Sequence, residues 1–142
     1  MGLELNREKT RVVNVRGTGE SLDFLGYTFS YEPDRHGRGH RYLNMAPSKK
    51  SLNREREKLR EMTGSKYCFK PVKTMIGEIN RHLRGWSNYY GHGYPRKAFR
   101  AINWYVRVRM KIHLRRRSQR PYRPPEGVTM YEQLKRLGLI YL

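Results

Sequence analysis

With a single cysteine, Cys68, in 142 residues, the chain has no intramolecular disulfide framework and no multi-cysteine zinc site. Aspartate is almost as scarce. Asp23 and Asp34 are the only two, eleven positions apart, so no adjacent aspartate pair exists to clamp two catalytic metal ions. No apolar run approaches the roughly 18 residues of a membrane span. The first residues form no apolar signal-peptide core, and Asn6 stands where a myristoylation motif requires Ser or Thr. These features predict a cytoplasmic protein with no membrane partner. Carboxylates are also few, with 12 Asp and Glu against 31 Lys and Arg, a formal charge of +19. Hydrophobic residues make up 37%, which is low, but 11 Tyr, 4 Phe and 2 Trp supply aromatic bulk that a disordered, solvating polymer lacks. The chain reads as folded around a thin core.

The charge is unevenly placed. Residues 1–46 hold seven basic and six acidic side chains, whereas residues 47–142 hold 24 basic and six acidic ones. From Tyr94 to Arg123 there are eleven Lys or Arg and no carboxylate. Self-repulsion of that size is relieved by a polyanion, and binding a phosphate backbone also releases its condensed counterions. Arginine outnumbers lysine 21 to 10, and its guanidinium forks onto phosphate and stacks on rings. Nucleic acid is the partner this predicts; charge alone does not separate RNA from DNA.

The first segment reads as strands. Residues 11–16 are rich in valine, Gly17-Thr18-Gly19 signals a turn, and Leu25, Tyr27, Phe29 and Tyr31 recur with period two, which together predict a hairpin. Residues 33–39 read as a loop and residues 41–45 as a returning strand closed by Pro47. Helices follow. Ser48 is a candidate N-cap for a first helix with Leu52, Leu59 and Met62 inward, ending before Gly64. Pro71 opens a second, whose Val72, Met75, Ile76, Ile79, Leu83, Trp86 and Tyr90 make one apolar face. Gly77 and Gly85 inside it predict close approach of another backbone, since each costs about 1 kcal/mol against Ala there.

A third helix follows Pro95. Phe99, Ile102, Val106, Met110 and His113 form its apolar stripe, and Arg96, Arg100, Arg107, Lys111 and Arg115 a second, cationic one. The local alternation over residues 106–109 also fits a strand, although length and flanking periodicity favour helix. Arg115-Arg116-Arg117 carry the positive tract into a proline-rich linker at residues 121–125. Thr129 and Glu132 fit a capping box for a short last helix with Leu134 and Leu137 inward and Gly138 as its stop. The apolar residues 139–142 should dock.

Other constellations carry less chemistry. His36 and His40 have metal-like spacing but sit among arginines that oppose a cation, and Gly37-Arg38-Gly39 is a turn rather than a phosphate cradle. Cys68, between Lys66 and Lys70, has no His or Asn partner for a nucleophile. Trp86 and Tyr90 read as core, while Tyr89 lies off the stripe where it can stack on a base. Arg84 and Asn88, one turn apart, suit phosphate or 2′-hydroxyl contact, or equally a solvated face.

Several strings together resemble the distal part of a group II intron reverse transcriptase, or intron-encoded maturase. Residues 5–11 resemble the stretch after the polymerase site, and Phe24-Leu25-Gly26-Tyr27 the primer-grip turn. Residues 48–62, Leu83-Arg84-Gly85-Trp86-Ser87-Asn88-Tyr89-Tyr90, Ala98-Phe99-Arg100 and Trp104-Tyr105-Val106-Arg107 resemble the maturase-specific, or thumb, helices. Tyr131-Glu132-Gln133-Leu134 with Gly138-Leu139-Ile140 resembles the family's close. The resemblance implies an α+β fold, with a palm-edge β region over residues 1–46 and a basic helical thumb over residues 47–142. It implies an RNA-binding module that grips intron RNA or a template-primer duplex, with Lys49, Lys50 and Arg54 along one edge and Arg96, Arg100, Arg107, Lys111, Arg115, Arg116 and Arg117 along the other. The family's Tyr-x-Asp-Asp motif is absent, so no polymerase activity is expected of this chain alone, and no cofactor; Mg²⁺ enters only if a fingers-palm partner supplies the aspartates. The alternatives are a subunit of such a split enzyme, a non-specific basic nucleic-acid binder, or a decaying gene product.

Overall fold

The computed structural model describes residues 21–34, 36–117 and 122–142. Three strands, β1 (Ser21–Phe24), β2 (Tyr27–Pro33) and β3 (Arg41–Pro47), precede four helices, α1 (Lys49–Met62), α2 (Val72–Tyr90), α3 (Arg96–Arg116) and α4 (Met130–Arg136). This is the α+β order expected. The strand and turn read at residues 11–19, and the resemblance at residues 5–11, lie outside the described residues.

The sheet is antiparallel in the order β1-β2-β3, with Phe24 opposite Tyr27, Tyr27 opposite Pro47 and Pro33 opposite Arg41. The alternation read as one strand from Leu25 to Tyr31 is interrupted. Leu25 (φ 53°) and Gly26 (φ 84°) form a two-residue turn, left-handed at both positions as a type I′ hairpin needs. Glycine adopts this freely, whereas leucine accepts about 1–2 kcal/mol of strain. A turn this short leaves the period-two pattern intact, so the pattern could not reveal it.

Each helix starts and packs for identifiable reasons. Ser48 caps α1, its Oγ accepting from Ser51 N at 3.1 Å. Thr129 and Glu132 close the capping box on α4. Met75, Ile76, Ile79, Leu83 and Trp86 of α2 meet Ile102, Val106, Met110 and Leu114 of α3, with Leu59 of α1, Leu134 of α4 and Leu139 completing one core. The expectation for Gly77 and Gly85 is overturned: both are exposed, and a Cβ at either would meet nothing within 4 Å. The helix buries its 75/76/79/83/86 side, and the two glycines lie on the other.

Polar side chains fasten the pieces. Asn80 of α2 donates to Gly138 O at 2.7 Å and accepts from Ile140 N at 3.0 Å. Asn103 of α3 treats Leu142 in the same way, at 3.0 and 2.8 Å. The tail is thus held by its backbone as if by a neighbouring strand, and Leu139 is driven into the core. Buried Glu55 of α1 takes His82 Nε2 of α2 between its two oxygens, at 2.8 and 2.9 Å. Arg109, 9% exposed, donates from Nε to Thr63 Oγ1 at 3.0 Å and from Nη2 to Thr63 O at 3.4 Å. That places a cation at the C-terminus of α1, where the helix dipole favours it.

His113 of α3 is fully buried, and neither ring nitrogen has a hydrogen-bond partner among the described residues. Burial lowers its pKa from the ordinary 6.5, helped by Arg117 and Arg116. Between the lowered value and 6.5 the unfolded chain holds more protons than the folded one, so stability falls as pH drops through this range. Thermal melts should show a loss of stability from pH 7 to pH 5 that is visibly flatter in His113→Leu, whose side chain fills similar space without titrating. A parallel decline in both proteins would contradict this.

Candidate nucleic-acid interface

The hairpin tip is the point on which the start of α1 and the end of α2 converge. Gly26 O accepts from Ser48 N and from Ser51 Oγ, each at 2.8 Å, at the start of α1. Leu25 O accepts from the Tyr89 hydroxyl at 2.8 Å, and the Tyr27 hydroxyl donates to Tyr89 O, at the end of α2. Tyr90 donates to Ser51 Oγ at 3.0 Å. Tyr27 is buried against Tyr89 and Tyr90, with ring centroids 5.9 and 5.3 Å away, and burial raises its pKa. Just before α3, Tyr94 N bonds Met45 O at 2.8 Å, and Tyr94 meets Tyr42 edge-on at 5.0 Å. The sheet therefore fixes the starts of α1 and α3 and the end of α2 together.

Those helix starts are electrostatically unusual. Lys49 and Lys50 open α1, Lys73 lies in the first turn of α2, Arg96 and Lys97 open α3, and none of the three first turns contains an acid. A cation there works against the helix dipole at a typical cost of about 0.3–1 kcal/mol. Helix stability therefore gives no reason for these residues. With the first-turn N–H groups that lack a partner, Ser51 N of α1 being capped by Ser48, they make positive sites suited to an anion.

The predicted site residues fall into groups. Lys49, Lys50 and Arg54 are exposed on α1, beside the hairpin tip, where Phe24 and Leu25 are 58% and 68% exposed. Arg84 and Asn88 are exposed on the outer side of α2, together with Arg81, Gly77 and Gly85. Tyr89 is half exposed at its ring, but its hydroxyl is engaged by Leu25. Along α3, the exposed residues are Arg96, Lys97, Arg100, Trp104, Lys111, Arg115 and Arg116, with Arg117 exposed just after the helix.

Arg107 departs from the stripe read in the sequence. It is half buried, and its guanidinium lies over the Tyr131 ring of α4, 5.9 Å from the centroid; Tyr131 in turn stacks on Tyr141 at 4.3 Å. The docked tail and α4 cover the middle of the stripe. At one end, Pro95, Arg96, Phe99, Arg100 and Leu142 line a shallow cleft with an apolar floor and two guanidinium groups. Sequence reasoning did not single out three contributors, Lys97, Arg81 and Trp104. The first two were legible as cations off the chosen stripe, and Trp104 from its spacing, since four positions after Arg100 and seven before Lys111 put it on the cationic stripe itself.

Residues 52–128 match the family model of the group II intron, maturase-specific domain. No curated protein matches the chain.

The convergence at the hairpin tip depends on Gly26. A Cβ there would lie 2.5 Å from the Tyr90 hydroxyl and 3.0 Å from Ser51 Oγ, with the backbone at φ 84°. Gly26→Ala should lower unfolding stability by about 2 kcal/mol or more, through left-handed strain plus overpacking. Gly37→Ala, also left-handed at φ 67° but facing open space, should lose only the strain. Equal losses in denaturant titrations of the two variants would show that the tip is not packed as described.

Proposed function

The chain belongs to the group II intron maturase-specific domain family, and from that premise we propose that it binds structured intron RNA through phosphate contacts, using the exposed cations of α3 and the positive starts of α1 and α3. The matched domain is the maturase-specific region rather than the polymerase catalytic region. The observation that carries the reading is the outward side of α3: apart from Trp104 its exposed residues are all basic, and residues 96–117 contain no Asp or Glu.

The mechanism is positional. Guanidinium and ammonium groups held on a rigid helix neutralise crowded phosphates, and the counterions released supply much of the affinity. Arg84 and Asn88 extend the contact along α2, and Lys49, Lys50 and Arg54 along α1. No bond is made or broken; holding phosphates together lowers the repulsion that opposes compact RNA. Phe24, Leu25 and Leu43, exposed apolar residues on the sheet, support a second reading in which the β region meets a fingers-palm polypeptide that supplies the metal-binding aspartates. Primer extension after co-expression with such a polypeptide tests it; no extension in any pairing rejects it.

The principal reading has a direct measurement. Affinity for a folded group II intron RNA should fall about a thousandfold or more between 50 and 200 mM salt if about six phosphates are engaged. Arg100→Gln, Lys111→Gln and Arg115→Gln combined should reduce the slope of log affinity against log salt by about 2–3. The circular dichroism of that variant should be unchanged. Arg109→Ala should do the reverse, lowering stability by about 2 kcal/mol as its charged hydrogen bonds are lost while the salt slope stays the same. Equal affinity for intron RNA, tRNA and duplex DNA would remove the maturase reading and leave a general polyanion binder.

A further inference from the structure

Six of the seven exposed residues of α3 are basic, and the seventh is Trp104, 58% exposed. We infer that Trp104 is a stacking platform for an unpaired base in the bound RNA, an inference that rests on the RNA-binding reading above and names the kind of nucleotide it takes. The other tryptophan shows what a structural role looks like in this fold. Trp86 is 9% exposed, with its ring against Tyr90 at 4.8 Å and Phe99 at 5.8 Å. Trp104 is left in water on a helix whose opposite side supplies the core. Its helix propensity gives no reason for the choice, since Lys, Arg or Ala serves better at an exposed helical position.

The surroundings select the occupant. At 3.6 residues per turn, Arg100 projects about 40° from Trp104 and Lys111 about 20°, displaced along the axis by about 6 Å and about 10 Å on opposite sides. The ring thus has a cation on each side along the helix, an arrangement that suits a nucleotide with its base on the indole and the neighbouring phosphates on Arg100 and Lys111. Arg107, three residues on, is held over Tyr131 instead and leaves the indole open. An apolar protein partner fits poorly, because covering the indole would also desolvate Arg100 and Lys111, and residues 96–117 offer no acid to pair them. An uninterrupted duplex fits poorly too. Its bases are already stacked on both faces, and the A-form major groove is too deep and narrow for side chains to read. A bulged or loop base has a free face.

The test uses the full chain with two blunt-ended RNA duplexes identical except that one carries a single bulged adenosine. Base–aromatic stacking adds affinity only where a base has a free face, so the bulged duplex should bind about tenfold more tightly. Trp104→Ala should bring it down to the affinity of the paired duplex with the salt slope unchanged; Trp104→Tyr should keep the preference. The bulged RNA should quench the indole emission that remains after subtracting the Trp104→Phe signal. Equal wild-type affinities with a steep salt dependence overturn the stacking inference alone, as does an equal loss on both duplexes in Trp104→Ala. Failure of the wild type to bind either duplex, or a flat salt titration, overturns the RNA-binding reading itself.

Discussion

Burial of Ile102, Val106, Met110 and Leu114 on one side of α3 lets the other side carry unneutralised charge. The magnitudes decide this. Each such side chain contributes about 1.5–3 kcal/mol when removed from water. Neighbouring exposed cations about 6 Å apart repel by about 0.7 kcal/mol at water's dielectric, less once salt screens them. The apolar side wins comfortably, and α3 is helical although its own carboxylate-free sequence does nothing to relieve the repulsion. An isolated peptide with the same residues has no such compensation.

Because the core supplies the stability, the ends of the structure are free to be fastened by polar groups that also set geometry. The backbone of the hairpin tip is held by Ser48, Ser51 and Tyr89, and the backbone of the tail by Asn80 and Asn103. Each contact satisfies main-chain groups that would otherwise need water or a ladder partner. With Tyr94 bonded to Met45 of β3, the result is that Lys49, Lys50, Arg96 and Asn88 are referred to one small sheet rather than to three independent helix ends. The tail works differently. It covers Asn103 while Tyr131 of α4 covers Arg107, and together they narrow the cationic face and concentrate what remains at Arg96 and Arg100 on one end and Lys111 to Arg116 on the other.

Much of this was legible in the sequence, for reasons that mark the limits of reading it. The four helices follow from apolar periodicity and from caps at Ser48 and Thr129, because both depend on residues near in the chain. The Leu25-Gly26 turn was not legible as the end of a strand, since two residues preserve the alternation across it. The outward placement of Gly77 and Gly85 was likewise hidden. Glycine has no side chain to declare a face, and the cost of keeping it signals a reason without saying which. The clasps made by Asn80 and Asn103 span 58 and 39 positions, and no local pattern encodes a partner at that distance.

The arginines of α3 show the same limit at the level of the site. Arg100, Arg107 and Arg109 are one residue type on one helix, yet Arg100 is exposed, Arg107 lies on an aromatic ring, and Arg109 is buried on the cap of another helix. Spacing left Arg109 off the cationic stripe without assigning it a side, and position 109 falls beside Val106 and Met110 on the inward one. Nor could spacing separate Arg107 from Arg100, because what covers Arg107 is α4, which arrives from more than twenty positions away. Charge composition therefore identifies the class of ligand, while the packing of later elements decides which charges remain to meet it. That distinction makes the exposed indole at position 104 informative: on a face where the fold covers what it uses, Trp104 was left uncovered.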